Sequence, residues 1–580
     1  MRFLSAIFLV LLCGAVSAQQ ATDAVAPEAG TQAALASSGP VEAENWMVSA
    51  ANPLAVQAGA EVLRAGGSAA DAMVAVQAVL GLVEPQSSGL GGGAFLVWYD
   101  AQSGELTTLD GRETAPLDAG PRLFQDANGE PLKFFDAVIG GRSVGTPGTP
   151  ALMAEAHARW GRREWPDLLA PAIDLARNGF AVSPRLAGLV ARDAERLATH
   201  AATADYFLPG GVPLSEGSIL RNPAYADTLQ TLAEQGVGAF YFGDIGRDIV
   251  ATVRGIEGNP GVLSDIDLAI YRVKERLPVC VTYRVYEVCG MGPPSSGALT
   301  VGQILGMLHH YDMASLGSEN PEALRLIGDA SRLAFADRGR YMADNDYVPV
   351  PVKGLVAPEY LAARAALLTG ESALETVAPG APEFDHAALD WADDDAIERP
   401  STSHISIVDA AGNALSMTTT IENAFGSRVM VRGFLLNNEL TDFSFRSHRD
   451  GVPVANRVEP GKRPRSSMAP TIVMQEGNPR LVIGSPGGSR IIGYVAQAII
   501  AWADWGMDIQ SAVSRPHAIN RFGTFDLEAG TSAEGFADAL AAMGYKTSVR
   551  DLNSGLHAIE VGPVLRGAAD PRREGIAIGE

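Results

Sequence analysis

The sequence predicts a mixed α/β fold, and three observations carry that prediction. Apolar residues recur at helical spacing in some segments and alternate at strand spacing in others, along nearly the whole chain. Hydrophobic residues make up 47% of the 580, enough for a large core and too many for a disordered chain. Glycine and proline clusters punctuate the segments where the periodicity changes.

Taken in order, the first element follows a signal-like start. Arg2, the apolar run Phe3–Leu12 and the small residues ending at Ala18 have the layout of a secretory signal peptide, with cleavage expected after Ala18. Residues 19–45 lack periodicity and read as a flexible leader. Ser68 with Asp71 has the spacing of a capping box, and the apolar run behind it predicts a buried helix to about Val83. The cluster Gly89–Gly93 opens a strand, Ala94–Tyr99, and not a helix, which argues against a dinucleotide-binding turn. Residues 150–200 and 321–343 read as helical.

Cys280 and Cys289 flank two β-rich runs joined at Arg284-Val285. That register sets the two cysteines opposite each other, so the reading is either a cross-strand disulfide or two buried thiols. The acidic stretch Trp391–Asp395 reads as an exposed linker. Ser403–Val408, a turn at Asp409–Asn413 and Ala414–Thr420 form a strong hairpin pattern. A strand at Arg480–Ile483 runs into Gly484–Gly488, and a helix follows from Ser489 to about Trp505.

Composition excludes several classes of function. The balance of 44 Lys+Arg against 67 Asp+Glu gives a net charge of −23, which repels phosphate backbones and anionic membranes, so no nucleic-acid partner is expected. Three cysteines cannot staple a disulfide scaffold. Beyond the N-terminal run, no stretch approaches the length of a membrane span. Nine scattered histidines show no metal-ligand spacing, and no cofactor motif stands out.

Two constellations suggest chemistry. Gly487 and Gly488 lie between a strand and a helix start, where backbone N–H groups suit an oxyanion; an ordinary tight turn has the same residues. Ser466 and Ser467 follow Lys462, Arg463 and Arg465, a cluster suited to a carboxylate or to a solvated turn.

Six blocks in order resemble the γ-glutamyltransferase family of N-terminal nucleophile hydrolases. They are Ser68–Ala72 with Glu84-Pro85 and Gly89–Phe95, Arg112–Pro116, Thr402-Ser403-His404, Leu435–Asn438, Arg463–Met468 and Gly484–Ser489. The resemblance implies a four-layer αββα sandwich and a precursor cut at Ser401–Thr402, giving a large subunit, 46–401, and a small catalytic one, 402–580. It implies Thr402 as nucleophile, activated by its own new α-amine, and Thr420 as its hydrogen-bond partner. Gly487 and Gly488 become oxyanion donors. Arg112, Ser466 and Ser467 are implied to hold a substrate carboxylate, and Glu422, Glu439 and Asp442 to face an ammonium. The implied partners are a glutathione-like γ-glutamyl amide and a water or amine acceptor, with no cofactor. Two features depart from the family pattern: Glu422 stands where Asn is usual, and the stretch from Asp442 to Ser466 has no matching lid tyrosine. A glutaryl or cephalosporin acylase of the same fold, and a non-catalytic exported relative, are the rival expectations.

Overall fold

The computed structural model describes residues 39–384, 390–394, 396 and 398–580. The expected signal peptide lies outside them. Two seven-stranded sheets face each other. One runs Ile576–Gly579, Met47–Ala50, Ser403–Val408, Ala414–Thr420, Gly93–Tyr99, Leu106–Gly111, Lys274–Arg276. The other runs Val41–Ala43, Leu565–Ala569, His557–Glu560, Asn478–Gly484, Thr471–Gln475, Tyr286–Gly290, Val279–Tyr283. Every pairing within both is antiparallel.

The sheets meet through apolar side chains such as Met47, Val97, Val408, Ile472 and Val482. Polar residues also cross the gap: Ser416 Oγ donates to the Ile483 carbonyl, 3.1 Å, and Ser406 Oγ to that of His557, 3.1 Å. Helices cover both outer faces. Ala69–Val83 and its neighbours pack on the first sheet. Gly297–Leu308 and Ile491–Ala503 pack on the second. The layers are therefore helix, sheet, sheet, helix.

Local chemistry explains the elements. Ser68 Oγ accepts from Asp71 N–H, and the Asp71 carboxylate accepts from Ser68 N–H, closing both ends of the capping box. The helix it starts is buried at every position, as a sequence apolar on nearly all faces requires, with Asp71 and Gln77 its only polar residues. The hairpin pairs Ser403 with Thr419 and Val408 with Ala414. Both strands are buried on both faces, which suits central strands with a sheet on one side and helices on the other. Cys280 and Cys289 pair in register with Cα atoms 4.1 Å apart and are joined by a disulfide.

Three expectations need correction. The end of the leader is not irregular: Val41–Ala43 pairs with Leu565–Gly567. The helix expected from Ser489 begins instead as a 3-10 turn, Gly488–Arg490, before the α-helix Ile491–Ala503. Residues 391–394 of the acidic stretch are not an exposed linker, and Asp395 lies outside the described residues. Trp391 is buried, and the Asp394 carboxylate lies buried against Arg465, 2.8 Å away. A charge run is usually solvated, but here the buried Arg465 guanidinium calls for a counter-ion. No helix among the described residues is long and apolar enough to cross a membrane.

Candidate active site

The site forms where the central hairpin opens. Thr402 immediately precedes the strand Ser403–Val408, and Thr420 ends the strand paired with it. The register therefore brings the two threonines together, and Thr402 Oγ1 lies 3.3 Å from Thr420 Oγ1. Thr420 Oγ1 also accepts from Glu422 N–H, 2.8 Å. That bond leaves Thr420 oriented toward Thr402.

Thr402 is strained. Its φ of +115° lies where β-branched residues are genuine outliers. The chain is held on both sides of it. Ser401 Oγ donates to the Gln86 carbonyl, 3.0 Å, and Arg573 Nη1 donates to the Thr402 carbonyl, 3.1 Å. Strain of this kind costs on the order of 1–3 kcal/mol and persists only when the surroundings over-determine it.

Beside the threonines stands the glycine turn. Gly487 and Gly488 have φ of +136° and +60°, conformations that favour glycine. A Cβ on Gly488 would fall 2.8 Å from the Arg399 carbonyl, so the segment before Thr402 lies directly on the turn.

The pocket wall includes Thr402, Thr420 and Gly488, and then Arg112, Glu422, Glu439, Asp442, Ser466 and Ser467. Of the residues implied by the sequence, only Gly487 and Ser401 are not in the wall, each the neighbour of one that is. Sequence reasoning gave no role to Glu398 and Arg399, which also line it. Nor did it give a role to Glu113, buried behind Arg112. The signal available for Glu398 was its place four residues before Thr402. The pattern Gly141-Arg142-Ser143-Val144-Gly145 matches the spacing of a hydrolase nucleophile turn, yet Ser143 is buried and donates to the Val138 carbonyl.

Electrostatics in the pocket is unusual. Arg112 bonds to Glu439, to Asp442 at 2.5 Å, and to the carbonyls of Pro464 and Arg465. These contacts use four of its five N–H groups. Three buried acids, Glu113, Glu439 and Asp442, crowd this one guanidinium, and Glu422 stands beside Glu439. Burial, then Glu439, pushes the Glu422 carboxyl up to about 8. Burial also holds Glu113, Glu439 and Asp442 above the usual carboxylate range, against the opposing pull of Arg112. His404, between the sheets, is held well below the ordinary imidazole range by burial. Neutral His404 bonds to Thr418 Oγ1, 2.8 Å, and Ser406 Oγ, 3.1 Å, as a structural group. The free cavity is about 20 Å³, room for a water molecule and little else.

Two facing sheets between helical layers, with a hydroxyl residue heading a central strand, are the architecture of the N-terminal nucleophile hydrolases. A solved cephalosporin acylase from Bacillus halodurans superposes on this chain with a TM-score of 0.83 at 27% identity, covering 95% of this chain and 99% of that one. The Gamma-glutamyltranspeptidase family model matches residues 55–580, and the chain belongs to that family of enzymes. It is 36% identical to a glutathione hydrolase proenzyme of Bacillus subtilis (strain 168), covering 92% of each chain. It is 35% identical to an acylase ACY 1 proenzyme of Pseudomonas sp. (strain SE83), covering 93% of this chain and 94% of that one.

Proposed function

We propose that the chain cuts its own Ser401–Thr402 bond and then cleaves γ-glutamyl amides such as glutathione through Thr402. The observation that carries this reading is the strained Thr402, its hydroxyl against Thr420, lining one pocket with the three acids Glu422, Glu439 and Asp442 that follow it in the chain. The hydroxyl attacks the Ser401 carbonyl, the amide nitrogen leaves as the Thr402 α-amine, and the resulting ester is hydrolysed by water. The free α-amine is then the base for the same hydroxyl. Attack on a donor's γ-carbonyl gives a γ-glutamyl ester and releases the amine. Water or a second amine takes the acyl group and regenerates Thr402. Gly487 and Gly488 donate N–H groups to the oxyanion that forms in each attack in this reading.

The substrate's amino-acid end is assigned by charge. Glu422, Glu439 and Asp442 suit an ammonium, while Ser466, Ser467 and Arg112 suit the carboxylate beside it. An ammonium entering among carboxyls that share protons lets them ionise, so donor binding releases protons. In the mature enzyme 46–401 and 402–580 are proposed to be separate chains. An exported location is supported by the signal-like N-terminus and by the Cys280–Cys289 disulfide, a bond that persists in oxidising compartments.

The acylase likeness supports a second reading, hydrolysis of glutaryl amides. A glutaryl group has no ammonium to meet the three acids. Turnover of γ-glutamyl and glutaryl anilides, with and without a dipeptide acceptor, separates the readings. Faster γ-glutamyl turnover is expected; a glutaryl preference would overturn the first reading.

The raised carboxyls also predict a pH dependence. Glu422 binds its proton more tightly folded than unfolded, so its contribution is complete below pH 4.5 and is lost as pH rises to about 8. An uncut Thr402→Ala precursor should therefore melt at lower temperature as pH climbs through that window. Thr402→Ala/Glu422→Gln should fall less steeply, by about 2 °C or more. Parallel melting curves for the two proteins would refute the protonated carboxyl.

A further inference from the structure

The pocket already contains a carboxylate, and it is the chain's own. Glu398 bonds to Arg338 Nη2 and accepts from Ser467 Oγ, with Arg465 Nε 3.6 Å away. Arg338 is fixed from behind: its Nε donates to Ser296 Oγ, 2.8 Å, and its Nη2 donates also to Ser467 Oγ, 2.8 Å. Arg465 pairs with Asp394, 2.8 Å. The next residue, Arg399, donates its backbone N–H to Glu422 Oε1, 3.2 Å. Glu398 and Arg399 thus present a carboxylate and an N–H donor to the two ends of one pocket. An α-amino acid presents the same pair of groups.

The segment must withdraw before a substrate enters. About 20 Å³ is free, whereas ligand pockets run to roughly 300 Å³ or more. Glu398 lies four residues before the cut, so withdrawal takes it from Arg338, whereas Asp394 is anchored by Asn456 Nδ2, 3.0 Å, and by its own N–H to the Gly339 carbonyl, 3.0 Å. Arg338 then stands beside Arg465 without its counter-ion, a costly arrangement that a carboxylate relieves. Arg112 differs, since its acids Glu439 and Asp442 belong to 402–580 and stay.

We propose that Arg338, with Ser467, is a specificity-determining residue that binds the donor's α-carboxylate in the position Glu398 holds in the precursor. This rests on the γ-glutamyl reading and adds a residue to it. The segment ending at Ser401 is accordingly an internal substrate mimic that fills the pocket until the chain is cut.

The test compares mature wild-type and Arg338→Gln proteins on three anilides. The γ-glutamyl and glutaryl donors both carry a carboxyl at the far end of the chain from the scissile carbonyl, whereas the 4-aminobutyryl donor keeps the amine there and lacks the carboxyl. Loss of ~30-fold in kcat/KM, mainly through KM, is expected for the two carboxyl-bearing donors, the size of a lost charge-assisted hydrogen bond. The 4-aminobutyryl donor should change less than ~2-fold, since it makes no such bond. Equal loss on all three, or no loss, overturns the proposal. If wild type turns over glutaryl but not γ-glutamyl donors, the γ-glutamyl reading fails, and the glutaryl loss still decides Arg338.

A second arm needs neither turnover nor maturation. In Thr402→Ala/Glu398→Ala precursor the Arg338 site is vacated, and sodium formate should raise its melting temperature relative to equal sodium chloride. Thr402→Ala alone, still filled by Glu398, should show no formate-specific rise, and adding Arg338→Gln to the double variant should abolish it. Absence of a formate-specific rise in the double variant overturns the proposal.

Discussion

Thr402→Ala is expected to yield one uncut chain on a denaturing gel and to lose at least ~10³-fold in turnover, because the proposed attacking oxygen would be gone from both reactions. Thr402→Ser keeps that oxygen and should still cut. Its hydroxyl has more freedom without the β-branch, so slower cutting is expected, with both fragments present at the end point. The surroundings argue that the variants will fold. Thr402 is held by contacts of its neighbours and its own backbone, from Ser401 to Gln86 and from Arg573 to its carbonyl. Two bands from the alanine variant would remove Thr402 from the mechanism altogether.

Gly92→Ala should be the most damaging change outside the pocket wall. An added Cβ would fall 1.9 Å from the Thr420 carbonyl and 2.8 Å from Ile421 Cγ2. The first of these is strand backbone and cannot rotate away. Overpacking a core costs roughly 1–3 kcal/mol, and a clash with backbone belongs at the upper end. The strand end must move, and Thr420 moves with it, lengthening its contact with Thr402. Both the melting temperature and the rate of self-cutting should fall. Gly188→Ala is the control: it lies in the helix Pro184–Leu197 with nothing within 4 Å of the new Cβ, and should leave the cutting rate unchanged. A Gly92→Ala protein that melts and cuts like wild type would show that the strand end has slack.

The parts of this molecule that were legible in its sequence are those with local causes. The capping box at Ser68 closes within four residues. The hairpin announces itself by a turn between two strands of matched length, and its register follows once the turn is known. The disulfide follows from the same kind of register at Arg284-Val285. The pocket residues were legible only through resemblance, since nothing local joins Arg112 to Glu439, 327 positions away. Glu398 and Arg338 were missed for that reason. Their contact spans 60 positions, and that of Arg338 with Ser467 spans 129. An acid in a polar stretch looks solvated until its arginines are seen. Val41–Ala43 was read as leader because three residues carry too little pattern to predict a strand whose partner lies over 500 residues away.

The strand order has a consequence for what a cut can do. In the first sheet, Ser403–Val408 lies between Met47–Ala50 and Ala414–Thr420, which in turn lies against Gly93–Tyr99. The second sheet interleaves in the same way, with Thr471–Gln475 beside Tyr286–Gly290 and Val41–Ala43 beside Leu565–Ala569. Breaking the bond before Thr402 severs one covalent link and no ladder. The two polypeptides would share a single core, so dilution alone would not part them, and coming apart would require unfolding. Assembling that core from separate chains would be a bimolecular search burdened by two incomplete sheets. The uncut chain makes it an intramolecular one at high effective concentration. Synthesis as one polypeptide would thus solve an assembly problem as well as supply the new amine of the proposed cut.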